Sequence, residues 1–330
     1  MENDNNSSRI MGIFGTGRSG SSWLGSIIDS HPQVAYRFEP FHRLKQNPMI
    51  FKARQLLESD SLKESDLTLV YNALLPAHPK IERPPFFPKA YGFVWGKTGL
   101  RAPAMKFKGL NLLFKWLYTA RRQPPLVFKE VTMEPIMANL LGHTSVPVVY
   151  LVRHPCAVVA STMTGQKQGV MLKGRHSILA ELLKKHDPQL AAQYAPQVEG
   201  MDLLERETLL WRIDVEKGLN AARDHSRALI VLYEALCDDP QAVSKRVFEH
   251  FSLDFSVQTV KFLDALAHQS QPTRRFMEFG IKPYFSVFHN PAAMKNKWKQ
   301  NLSTEEQRRV LRLVQDSPAF QFGAALGKWD

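Results

Sequence analysis

Cysteine is nearly missing from this sequence. Cys156 and Cys237 are the only two, each inside an apolar run; that argues against a disulfide-stapled scaffold, and both read as reduced core thiols. Long hydrophobic runs are missing as well. None approaches the ~20 residues of a membrane span, and the opening MENDNNSSR is polar and acidic, unlike a signal peptide. The 11 histidines show no metal-ligand spacing, and there is no internal repeat or low-complexity stretch. Charge of one sign is in excess: 43 Lys and Arg against 31 Asp and Glu give +12, which suits anionic ligands. The basic residues are scattered in short clusters (Arg121-Arg122, Lys184-Lys185, Lys295 to Lys299). No nucleic-acid-binding module is recognisable.

What is present begins at Ile10, in RIMGIFGTGRSGSSWL. Ile10, Met11, Ile13 and Phe14 read as a buried strand. Gly15, Gly17 and Gly20 follow, and Ser21, Ser22, Trp23 and Leu24 open a helix. Glycines allow close backbone approach, and the first N–H groups of a helix have no partner of their own, so this turn is an anion site. Ser19, Ser21 and Ser22 add hydroxyls and Arg18 a fixed positive charge. The spacing mimics the nucleotide loop G-x-x-x-x-G-K-[ST], but Ser21 stands where that loop has its lysine. The letters also fit G-x-G-x-x-G, with Glu39 about twenty residues on, a weak match to a dinucleotide fold.

A second strand-to-helix junction lies at VPVVYL, Val146 to Leu151, followed by Val152, Arg153, His154 and Pro155 and then the helical run CAVVASTM. Proline is well placed in a first helical turn. Ligands of open parallel sheets bind outside the carboxyl ends of the strands, so Arg153 at this strand's end reaches the same crevice as the glycine turn. Ser161 follows roughly two helical turns later. The architecture expected is α/β, a P-loop-like three-layer sandwich with a central parallel sheet flanked by helices.

Together these segments resemble the sulfotransferases that use 3′-phosphoadenosine 5′-phosphosulfate (PAPS). Arg18-Ser19-Gly20-Ser21-Ser22-Trp23 is similar to that family's 5′-phosphosulfate loop. RHPCAVVAS, Arg153 to Ser161, is similar to its 3′-phosphate motif, and LIVLYEALCDDP, Leu229 to Pro240, to a later strand-and-helix segment. The three follow the family's order across about two-thirds of the chain. Phe38-Glu39-Pro40 shortly after the loop is most like the carbohydrate sulfotransferases. The resemblance implies PAPS as co-substrate and no metal. It places the 5′ end of PAPS on residues 18–23, the 3′-phosphate on Arg153 and Ser161, and adenine against Trp23 or Tyr233.

The acceptor hydroxyl needs a base. Glu39 is the candidate: it ends the apolar run VAYRFEP, and partial burial at a strand end would raise its pKa. His42 is the runner-up. Arg18 supports the leaving oxygen electrostatically, and Lys129, closing LVFKEV, is a further candidate. Lys295 and Lys297 sit where phenol-type members carry an Arg-Lys-Gly segment that is absent here. The chain is expected to be one domain, residues 1–330, with the proline- and aromatic-rich residues 41–125 as a cap over the acceptor site. The acceptor is a carbohydrate or other small molecule, with neither nucleic acid nor a membrane span involved. Unlike the membrane-anchored carbohydrate enzymes, a cytoplasmic location is expected. The competing classes are a small-molecule kinase, which would need magnesium and a loop lysine, and a noncatalytic nucleotide-binding protein.

Overall fold

The computed structural model describes residues 9–171, 174–267 and 290–329. Five strands form a parallel sheet: β1 (Ile10–Gly15), β2 (Ala35–Phe38), β3 (Leu126–Lys129), β4 (Val148–Val152) and β5 (Ala228–Leu232). Their spatial order is β2-β3-β1-β4-β5. β1 to β4 are buried along their whole lengths, as a parallel sheet covered on both faces requires. Ile10, Phe14, Phe128 and Tyr150 fill one face; Met11, Ile13, Val127 and Val149 fill the other. The expected three-layer architecture is therefore present.

Helix α1 (Ser21–Asp29) covers the second face through Leu24, Ile27 and Ile28. A short α2 (Pro40–Arg43) follows β2 directly. Residues 41–125 add no strand to the sheet. Their helices α3 (Pro48–Leu57) and α4 (Leu67–Leu74) join the first-face core. In contrast, α5 (Lys97–Lys106) and α6 (Lys108–Tyr118) build a small cluster of their own around Ala104, Phe114 and Tyr118. After β3 and α7 (Glu134–His143), β4 leads into α8 (Pro155–Lys167).

The stretch after α8 reads as broadly helical in sequence and resolves into α9 (Leu179–His186), α10 (Pro188–Tyr194) and α11 (Leu203–Ala222). Asp202 and Glu205 form a reciprocal capping box at the start of α11. Beyond β5, where sequence suggests one helix, there are two, α12 (Tyr233–Asp238) and α13 (Pro240–His250). Pro240 breaks the first and begins the second, capped by Asp239. Then come α14 (Val257–Ala267) and a C-terminal helix Thr304–Val314 begun by a Ser303–Glu306 capping box. The polar opening residues 1–8 and the tail stretch 276–289 lie outside the described residues.

Candidate active site

At the end of β1 the chain turns so tightly that two glycines are obligatory. A Cβ at Gly15 would lie 2.6 Å from the Leu151 carbonyl oxygen, and one at Gly20, where φ is +96°, would lie 2.3 Å from the Tyr233 ring. A Cβ at Gly17 would meet nothing within 4 Å, so that part of the loop is open. Two buried hydroxyls in the turn, Thr16 Oγ1 and Ser19 Oγ, have no hydrogen-bond partner. Buried polar groups are ordinarily paired; these two await an acceptor. Immediately beyond is the N-terminus of α1, with no acidic residue in its first turn. Orphan N–H groups, the positive end of a helix dipole and unpaired hydroxyls make an anion cradle.

The end of β4 supplies the neighbouring charge. Arg153 is only 7% exposed, and its guanidinium lies 4.1 Å above the Tyr233 ring centroid. It donates to the carbonyls of Arg18 (3.1 Å) and Met294 (3.4 Å), while its Nε is buried without a partner. Arg18 Nε in turn donates to Ser161 Oγ at 2.9 Å. The structure thus joins Arg18, Arg153, Ser161 and Tyr233 in one place.

Trp23 belongs to the second-face core and meets Tyr233 edge-on at 5.8 Å, with its Nε1 unpartnered. His154 is a structural residue. It accepts from the Cys156 N–H to cap α8 and stacks on Trp298. Burial, then Lys299 and Arg153, push its pKa down to about 3, so the ring is neutral.

Across the sheet, β2 and β3 end side by side, Phe38 in register with Lys129. Four ionisable groups meet there in two pairs. Lys129, 2% exposed, donates from Nζ to Glu39 Oε1 at 2.6 Å, and Arg43 adds a 3.3 Å contact to Glu39 Oε2. His42 Nδ1 lies 2.7 Å from Glu130 Oε2, while Glu130 Oε1 accepts from the Phe41 N–H at 2.6 Å. Glu130 is fully buried and the His42 side chain is 44% exposed.

The raised pKa expected for Glu39 is not found. Burial does push upward, but the Lys129 ammonium, with Arg43 and His42 behind it, outweighs burial and brings the carboxyl down to about 2. Glu130 is moved upward instead, because burial exceeds the pull of His42. Lys129 is no solvated strand-end residue, and Lys295 pairs with Asp238 at 2.7 Å. Arg37, two residues before Glu39, pairs instead with Glu82 and donates to the carbonyls of Leu74 and Leu75.

Sequence reasoning passed over Glu130. The available signal was a Lys-Glu pair closing a strand: adjacent strand residues point to opposite faces, so each charge finds a different partner. Backbone hydrogen bonds from Glu130 N to Ile13 O (2.9 Å) and Thr132 N to Gly15 O (3.1 Å) tie this corner to the anion loop. Strain collects at the same edge. Arg18, Glu39 and Thr132, at φ +68°, +49° and +56°, follow three adjacent strands in the left-handed region. Such residues concentrate at functional sites.

Fold and site together define a three-layer α/β protein with an anion-binding crevice at the carboxyl edge of its sheet. Among solved structures it is similar to the sulfotransferase domain of the Synechococcus PCC 7002 olefin synthase (16% identical over 98% of each chain, TM-score 0.47). It is similar also to mouse sulfotransferase SULT7A1 complexed with PAP (13% identical over 99% of this chain and 89% of that one, TM-score 0.49). A third is retinol dehydratase in complex with retinol and PAP (14% identical, 94% and 81% covered, TM-score 0.43). No family model matches the chain, and no curated protein does.

Proposed function

We propose that this chain is a sulfotransferase that moves a sulfuryl group from PAPS to an acceptor hydroxyl. The observation that carries the reading is the set of unpaired buried donors at the ends of β1 and β4: Thr16 Oγ1, Ser19 Oγ and Arg153 Nε. They surround a glycine turn that has serine in place of a phosphate-loop lysine. The fit is to a ligand with separated anionic groups, its 5′ end on residues 16–22 and its 3′-phosphate near Arg153 and Ser161. PAPS supplies an activated sulfuryl group; the chain has to position it, stabilise the leaving oxygen and take one proton. Arg18 and the N-terminus of α1 provide the positive field.

The proton-accepting role fits His42 better than Glu39. A carboxylate pulled to about 2 and held by the Lys129 ammonium is a weak base. With the Glu130 carboxylate accepting from Nδ1, the imidazole keeps its Nε2 lone pair for an acceptor hydroxyl, the orienter–base logic of hydrolytic triads. Glu39 then serves to hold Lys129. Residues 41–125, which place α2 beside this corner, are the natural cover for the acceptor. A sugar hydroxyl is the acceptor suggested by the Phe38-Glu39-Pro40 likeness.

The first test is calorimetry in EDTA. Adenosine 3′,5′-bisphosphate is expected to bind without metal and more tightly than ATP; preference for ATP with strict magnesium dependence would assign the crevice to a kinase. A second result concerns Arg153→Ala, which is expected to cost about 1.5–3 kcal/mol of binding to adenosine 3′,5′-bisphosphate. Affinity for adenosine 5′-phosphosulfate, which lacks the 3′-phosphate, should barely change. Equal losses for both ligands would make Arg153 a structural residue.

A further inference from the structure

Helix α6 carries apolar residues on both of its sides. Leu110, Phe114, Leu117 and Tyr118 face inward and pack with α5 around Ala104. On the opposite arc, Leu112, Leu113 and Trp116 stand in solvent, Trp116 at 72% exposure. The exposed surface continues through Met105 and Phe107 at the α5–α6 junction. Trp95 and Phe93 are exposed too, on the Tyr118 side of the helix, where Phe93 stacks on Tyr118 at 6.2 Å. An open groove runs beside Leu112 and Trp116, bordered by Lys115 and Arg121. Single exposed hydrophobics need no explanation; several on one arc of a helix, beside an open groove, mark an interaction surface.

Its charge selects the partner. From Arg83 to Lys129 the chain has ten Lys or Arg and no Asp or Glu. Several of these are engaged internally, as Lys89 is with Asp29 and Lys97 with Glu82. Lys106, Lys108, Lys115, Arg121 and Arg122 are exposed around the patch. Two copies of this surface meeting face to face would bring like charges together, which opposes self-association. Anionic lipid satisfies both features at once. Leucine and tryptophan side chains enter the headgroup boundary, and the lysine and arginine heads remain at the phosphates. Tryptophan is itself favoured at that depth. No described helix is long and apolar enough to cross a membrane; the side chains of this hairpin suit contact at a membrane surface.

We infer that the α5–α6 hairpin docks the protein onto anionic phospholipid membranes. This inference stands independently of the sulfuryl-transfer reading, because its readout is sedimentation and not turnover. The full-length chain is mixed with phosphatidylcholine vesicles with and without phosphatidylserine. Binding is expected only with phosphatidylserine, weakening as salt rises. Leu112→Gln combined with Trp116→Gln should lower the partition coefficient at least about tenfold. Lys108→Gln with Lys115→Gln should lower it by roughly 10-fold or more, each basic residue near the surface being worth about a fivefold factor. All four sites are exposed, so thermal melting and nucleotide binding should stay unchanged in both variants, which separates lost docking from lost folding. Failure to bind either vesicle overturns the inference, as does equal binding to both. So does a concentration-dependent dimer that Leu112→Gln/Trp116→Gln abolishes while vesicle binding is absent, since the patch would then join two copies of the chain.

Discussion

Replacing His42 with alanine is expected to lower turnover by about 10²–10⁴-fold, the usual worth of a positioned base, and to leave affinity for adenosine 3′,5′-bisphosphate intact. His42 stands over the ends of β2 and β3, while the donors near Arg153 belong to β1 and β4, so loss of the base need not disturb the nucleotide. Alanine also leaves the buried Glu130 carboxyl with only the Phe41 N–H. His42→Asn is therefore the better-behaved variant, because its amide can still donate to Glu130. Normal turnover in His42→Ala, together with a dead but folded Glu39→Gln, would return the role to Glu39.

The second large effect is on stability. Glu39→Gln is expected to destabilise the protein by about 3–5 kcal/mol, the typical cost of leaving a buried charge without its partner. Lys129 is almost wholly enclosed, and burial already lowers its pKa against the support of Glu39. Urea denaturation reads the loss directly, and the double change Glu39→Gln with Lys129→Met should recover much of it. The sign with pH follows from the direction of the Glu39 shift. Its folded pKa, about 2, lies below the ordinary glutamate value of 4.5, so the pair contributes fully above the ordinary carboxylate range. That contribution fades as acid takes the pH from there toward 2. Wild type should lose stability across this window more steeply than Glu39→Gln. A variant within about 0.5 kcal/mol of wild type, the range of ordinary surface substitutions, would show that Lys129 does not depend on this carboxylate.

What was legible in the sequence was whatever the chain encodes over short distances. The glycine turn after Phe14 and the Pro155 helix start are each complete within a few residues, and both appear where their letters placed them. The lower legibility of the corner at the ends of β2 and β3 has a physical cause. Glu39 and Lys129 are 90 positions apart, His42 and Glu130 are 88 apart, and only the β2–β3 register brings them together. In the local sequence the arginine nearest Glu39 is Arg37, two positions before it. The strand directs Arg37 instead to Glu82 and α4, while Lys129 arrives from the neighbouring strand. The pKa expectation failed for the same reason: burial was inferred correctly, but its sign was overruled by a cation that sequence distance concealed.

The sheet order has a further consequence, for how the chain assembles. β1 and β2 are consecutive in sequence yet never touch, because β3 inserts between them. On a ribosome, the first 125 residues hold two strands with no lateral partner, and the edges of β1 stay open until Leu126–Lys129 and then Val148–Val152 emerge. Unpaired strand edges are templates for adventitious pairing, and domains rich in distant contacts fold slowly. The nascent N-terminal portion is thus the period of greatest vulnerability to aggregation, and a fragment ending before Leu126 has no route to a native sheet.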